Sequence, residues 1–203
     1  MKKLKDPVWG FFFKKDNSDT KRILELLSKT SLFEGFKKSQ LKQIQRIMHL
    51  RSFKPGETVV RENDPGIGMY IVWKGSVSVY VQEEDQESEN KVASYNYGEF
   101  FGDAALFSDA KRTATVRATE EATLLGFCKP DLLELIRRNP HLGSEILIRI
   151  LGLAGKRLQI ANAHLKKLKK RVEDLEEAQT KSDSESEDPI SLESVAHKKM
   201  DAA

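Results

Sequence analysis

The spacing of apolar positions along this 203-residue chain changes twice. Ile23, Leu24, Leu26 and Leu27, and then Leu41, Ile44, Ile47 and Met48, recur every three or four residues. That period predicts two amphipathic helices, the first capped by Ser18 or Asp19 and the second starting at Ser39. From Phe53 to Phe127 the period shortens to two. Runs at 57–60, 68–73, 76–81, 91–96, 113–118 and 122–128, separated by turn residues, predict strands. Val77, Val79 and Val81 alternate with Ser76, Ser78 and Tyr80, as a strand with one buried face requires. The stretch from Gln82 to Asn90 has no apolar side chain and is expected to be a solvated hairpin loop.

The helical period returns after Pro130. Asp131 is the expected N-cap of a helix burying Leu132, Leu133, Leu135 and Ile136, which Pro140 ends. A longer helix is predicted from Gly143 to Gln179. Within it Leu151, Leu158, Leu165 and Val172 recur every seven residues, interleaved with Ala154, Ala161, Leu168 and Leu175. This is an a/d seam; Leu151 and Ala154 are expected to pack on their own domain, and Leu165 to Leu175 to pair in a parallel homodimer. Short strands framed by helices predict an α+β fold: an antiparallel β jelly-roll barrel flanked by N-terminal helices and a long C-terminal helix. The expected organisation is an N-terminal arm at 1–18, a domain at 19–142, the long helix at 143–180 and a disordered tail at 181–203.

Composition narrows the function classes. With 34 basic and 31 acidic residues the net charge is only +3, so a general polyanion-binding role is not implied. No apolar run approaches the roughly 18 residues of a membrane span. The single Cys128 cannot form an internal disulfide, and Val8 to Phe13 is too short for a signal-peptide core, so a cytoplasmic location is expected. The aromatic residues of the arm, set between lysine pairs, are expected to pack on the domain, with contact to an anionic membrane surface as the lesser alternative.

The chemistry is concentrated between Gly98 and Val116, in GEFFGDAALFSDAKRTATV. Gly98 and Gly102 permit tight turns. A helical turn beginning near Asp103 would direct unpaired backbone N–H groups, such as that of Ala105, toward an anion. Ten residues past Gly102, Arg112 can add a guanidinium fork to the same anion. A phosphate suits that arrangement; the competing reading pairs Arg112 with Asp109 or Glu99 at the surface.

This stretch resembles the phosphate-binding cassette of the cyclic-nucleotide-binding domain family, to which the catabolite activator protein and protein kinase regulatory subunits belong. Its pattern is Phe-Gly-Glu-x-Ala-Leu followed by Arg-Ala or Arg-Thr. The resemblance extends through Glu62-Asn63-Asp64-Pro65-Gly66, Met69-Tyr70-Ile71-Val72 and Gly75-Ser76-Val77, covering about residues 31–160. It implies a ligand, cAMP or cGMP, bound by Gly102, Asp103, Ala104, Ala105, Arg112 and Thr113. Arg112 and the Ala105 amide would hold the cyclic phosphate, and Gly102 with the acid at 103 the ribose 2′-hydroxyl. Thr113 resembles the members that accept cGMP through a hydroxyl contact, although a threonine also suits a strand there. Three positions depart from the pattern. Asp103 replaces Glu, which shortens the reach to the ribose; Lys111 replaces a common Pro; and Asn63 stands where Gly is usual, which Asn can imitate in a left-handed turn at some cost.

Enzyme classes find no support. A metal-dependent jelly-roll enzyme needs clustered histidines, whereas His49, His141, His164 and His197 all fall outside the predicted strands. Cys128 has no suggested His partner and reads as a structural thiol. The residues after the long helix are too few for a helix-turn-helix, so direct DNA binding is not expected. The leading expectation is a stand-alone cyclic-nucleotide-binding regulatory protein that couples ligand to its C-terminal helices and signals through a homodimer or an effector protein. The alternative is a non-binding fold of the same type serving as a dimerisation or interaction module.

Overall fold

The computed structural model describes residues 17–82, 88–109 and 111–186. Most of the N-terminal arm therefore lies outside the described residues, as does the expected tail from 187 onward. The chain divides into two compact units, Met1–Gly152 and Leu153–Ala203.

The first unit opens with helices α1 (Asn17–Lys29) and α2 (Lys38–Arg46). Strands follow: β1 (His49–Phe53), β2 (Thr58–Val60), β3 (Gly68–Lys74), β4 (Val77–Gln82), β5 (Glu89–Tyr95), β6 (Phe100–Phe101), β7 (Thr115–Ala118) and β8 (Ala122–Cys128). Helices α3 (Lys129–Arg138) and α4 (Pro140–Ser186) complete the order. The strands form two four-stranded antiparallel sheets, ordered β1-β8-β3-β6 and β2-β7-β4-β5. This is the expected jelly roll, with one correction: the two sheets are not hydrogen-bonded into a closed barrel.

Phe53, Tyr70, Val72, Val79, Phe101, Val116 and Leu124 belong to one buried cluster drawn from both sheets. On the alternate positions of β3 and β8, Met69, Ile71, Leu125 and Phe127 are buried as well. The Phe127 ring meets Phe33, 6.4 Å away between centroids, so the turn between α1 and α2 covers that face. A sheet covered on both sides explains why β3 is a continuous apolar run rather than an alternating one. β4 departs from strict alternation too: Ser78 is buried, and its hydroxyl lies 3.0 Å from that of Thr119.

Several expectations need correction. Strand β1 fills the gap between the helical pattern that ends at Met48 and the strand pattern that starts at Phe53, and it carries His49, whose Nε2 lies 3.0 Å from Asp131 Oδ2. Asp131 is therefore in the first turn of α3, not its N-cap; Cys128 occupies that position. Pro140 opens α4 instead of merely closing α3, because the first helical position needs no backbone donor. Leu142, Ile146 and Ile150 are the buried hydrophobic residues of α4, while Leu151 is 63% exposed. A heptad period alone does not say which stripe faces the domain.

In the second unit α4 continues through Ser186, past the expected start of the tail at 181. Among the described residues, no helix is long and apolar enough to cross a membrane.

Candidate functional site

Three segments converge on Arg112. The first is the turn after β2, where Asn63 has φ 66°, the left-handed conformation in which asparagine can take the place of glycine. That turn clamps the arginine backbone: Asn63 N donates to Arg112 O at 2.9 Å, and Arg112 N donates to Asp64 O at 2.8 Å. Pro65 and Lys111 form an antiparallel bridge beside it. The second is the start of β3. Gly68 O accepts from Arg112 Nη2 at 2.6 Å. A β-carbon on Gly68 would lie 2.3 Å from the Phe127 carbonyl oxygen, so no other residue fits this close crossing of β3 and β8.

The third is the 3-10 turn Asp103–Leu106, entered from Gly102 at φ 76°. Gly102 O accepts a longer bond from Arg112 Nη1, 3.3 Å. A β-carbon on Gly102 would stand 2.4 Å from that same nitrogen. The backbone angle favours glycine, and a β-carbon would push the guanidinium from its present place.

Arg112 is only 9% exposed, and desolvation lowers its pKa from the ordinary guanidinium value, against weaker opposing effects of Tyr70 and Cys128. An arginine remains charged regardless. The surface ion pair considered for it is not formed. Asp109 pairs with Lys129 at 2.7 Å, and Glu99 Oε2 accepts from the Asn96 amide at 2.7 Å. Among the described residues, the partners of the buried guanidinium are carbonyl oxygens, whose partial charge offsets a buried cation less well than a carboxylate does. A buried cation whose partners are neutral oxygens in a concave site is suited to an anionic ligand.

Arg112, Gly102 and Thr113 line a cleft of about 130 Å³ together with Val79, Tyr95 and Phe101. The rings of Tyr70, Phe101 and Tyr95 stack in sequence, at 5.6 and 5.4 Å between centroids. The remaining expected residues are on the 3-10 turn but do not line this cleft. Asp103 is buried, Ala104 is exposed, and Ala105 is buried. The Ala105 amide was expected to be unpaired; it donates to Gly102 O at 3.1 Å, as a 3-10 turn dictates. Thr113 is exposed and precedes β7, which begins at Thr115, so the competing strand role does not apply.

Sequence reasoning missed the Gly68 carbonyl and the apolar wall of Val60, Val79, Tyr95 and Phe101. A carbonyl leaves no trace in a sequence. The wall was partly legible, since Val79 and Tyr95 sit on the patterned strands, but which face lines a cleft depends on how the two sheets meet.

Residues 50–139 match the model of the cyclic nucleotide-binding domain. These residues form a cyclic nucleotide-binding domain. Within curated relatives, the chain is 29% identical over 112 residues to the cAMP-dependent protein kinase type II regulatory subunit of Drosophila melanogaster, covering 55% of this chain and 28% of that one. It is 31% identical over 113 residues to a cGMP-dependent protein kinase of Plasmodium berghei, covering 56% of this chain and 12% of that one. The chain thus spans less than a third of either relative. Among solved structures, the Thermus thermophilus catabolite activator protein aligns at TM-score 0.62 and 27% identity, over 68% of this chain and 62% of that one. The domain's matched region contains every site residue named above.

Proposed function

We propose that the chain is a cyclic-nucleotide-responsive regulatory protein, binding cAMP or cGMP with its phosphate on Arg112 and acting as a sensor rather than a catalyst. The buried Arg112 guanidinium, held by two carbonyls at a cleft, carries this reading. Relatives named for dependence on cAMP and on cGMP support both ligands. Thr113 has an exposed side chain at the cleft, which favours a hydroxyl contact to guanine and hence uptake of cGMP alongside cAMP.

The coupling to the C-terminal helices would start at Gly68. Its carbonyl accepts from Arg112, its register partner is Cys128, and Lys129, which opens α3, donates its backbone N–H to Ile67 at 2.9 Å. A phosphate that draws the guanidinium away from Gly68 acts on the junction of β3, β8 and α3. The Lys129–Asp109 pair ties α3 to the cassette loop as well. Ligand binding shifts these helices only as far as it favours one of their positions over the other. The heptad seam would carry the output, through a homodimer or an effector protein.

The alternative, a domain that binds no nucleotide and serves as an interaction module, is favoured by Asp103, which is buried and absent from the cleft lining. Calorimetric titration of the full chain with cAMP and cGMP separates the two readings. Saturable binding is expected, and no heat of binding from either ligand at millimolar concentration would leave only the interaction module.

A further inference from the structure

The second unit presents an apolar stripe with a mainly basic charge frame that turns acidic at its end. Leu158, Leu165, Leu168, Val172 and Leu175 are each 52–63% exposed, and they occupy successive a and d positions with Ala161. No acidic residue occurs from Ile146 to Val172, a stretch that includes Arg149, Lys156, Arg157, Lys166, Lys167, Lys169, Lys170 and Arg171. The positions flanking the seam, e and g of the heptad, hold Arg157, Asn162, His164, Lys169, Arg171 and Glu176. Those positions set partner choice in coiled coils.

A second copy in parallel register matches this frame poorly. It would set Arg157 against Asn162, His164 against Lys169 and Arg171 against Glu176, so one pairing attracts, one is neutral and one repels when His164 is charged. It would also bring the Lys166–Arg171 blocks of the two chains to the same level. An acidic helix with Leu or Ile on its seam and Glu at its e and g positions would instead meet Arg157, His164, Lys169 and Arg171 with opposite charge and Glu176 alone with like charge. We propose that this stretch of α4 docks an acidic amphipathic helix of another protein, in preference to a second copy of this chain. The proposal concerns the seam alone and does not depend on nucleotide binding.

The test uses the full chain without nucleotide and two labelled four-heptad peptides, both with Leu at a and d, one with Glu and one with Lys at e and g. Sedimentation should show the chain alone as a monomer at micromolar concentration. Fluorescence anisotropy should show the Glu peptide binding and the Lys peptide not. Its affinity should weaken about tenfold on moving from low to high salt, because exposed pairs are screened. The double reversal Lys169→Glu with Arg171→Glu should weaken it at least tenfold more, with the helical circular dichroism of the chain unchanged. A stable homodimer that ignores the Glu peptide would overturn the proposal in favour of a second copy. Equal binding of both peptides, or preferential uptake of the chain by phosphatidylserine vesicles over the Glu peptide, would overturn it too.

Discussion

At the scale of single residues, the site depends on how one cation is kept charged and oriented inside the fold. Arg112 has its backbone fixed by Asn63 and Asp64 and its guanidinium fixed by Gly68 and Gly102. Two of its five N–H donors are used on carbonyls, which leaves the others for an anion. Gly102 is the most sensitive neighbour, because its φ of 76° strains any other residue and a β-carbon there would displace Arg112 Nη1. Gly102→Ala should destabilise the domain by about 1–3 kcal/mol and abolish nucleotide binding even where the fold persists. Urea denaturation alongside calorimetry checks this; wild-type affinity in the alanine variant would show that the guanidinium does not need its present place. Arg112, Gly102 and Thr113, which line one cleft, could be picked out in the sequence because a glycine-marked turn and a following Arg-Thr pair are spaced in a recognisable pattern. Ala105 was read less well. A 3-10 turn spends that amide on its own carbonyl, which residue identity does not reveal.

At the scale of elements, turns and junctions place the site. The Asn63 turn is the clearest, since an asparagine there adopts what glycine adopts without strain. Asn63→Ala should cost about 1–2 kcal/mol, whereas Asn63→Gly should be neutral or slightly stabilising. Denaturant midpoints of the two variants test this, and equal midpoints would remove the turn as a strained element. The junction of β8 and α3 carries Cys128, whose thiol pKa is raised first by burial and then by the Asp131 carboxylate. Burial disfavours the thiolate, so the pH profile for alkylation of Cys128 should lie at higher pH than that of an exposed thiol. A profile at or below the exposed-thiol value would contradict the partial burial of the thiol. Of the elements, β8 was legible to the residue and β3 nearly so, because long apolar runs bounded by turns leave little choice. β1 was not, since His49, Leu50, Arg51 and Ser52 are partly or fully exposed and only Phe53 is buried. β6 is two residues long, too short for any period to show.

At the scale of the whole molecule, the chain joins a cyclic nucleotide-binding domain to a helix whose apolar seam is exposed. The heptad period of that seam was plain in the sequence, and the exposure of Leu151, expected to pack on its own domain, was not. Periodicity identifies a stripe, and only the packed structure shows that Leu142, Ile146 and Ile150 form the buried one. Signalling would require both parts, a ligand-sensitive anchor at Arg112 and a surface that reports on it. The anchor is the central claim. Its most direct test is parallel calorimetric titration of the wild-type chain and Arg112→Ala with cAMP and cGMP. A charge-assisted hydrogen bond contributes about 1.5–3 kcal/mol, so the loss of the guanidinium should weaken binding roughly ten- to a hundredfold or more, with the fold intact by circular dichroism. Nucleotide binding of unchanged affinity in Arg112→Ala would contradict the account, because the phosphate would then lie elsewhere.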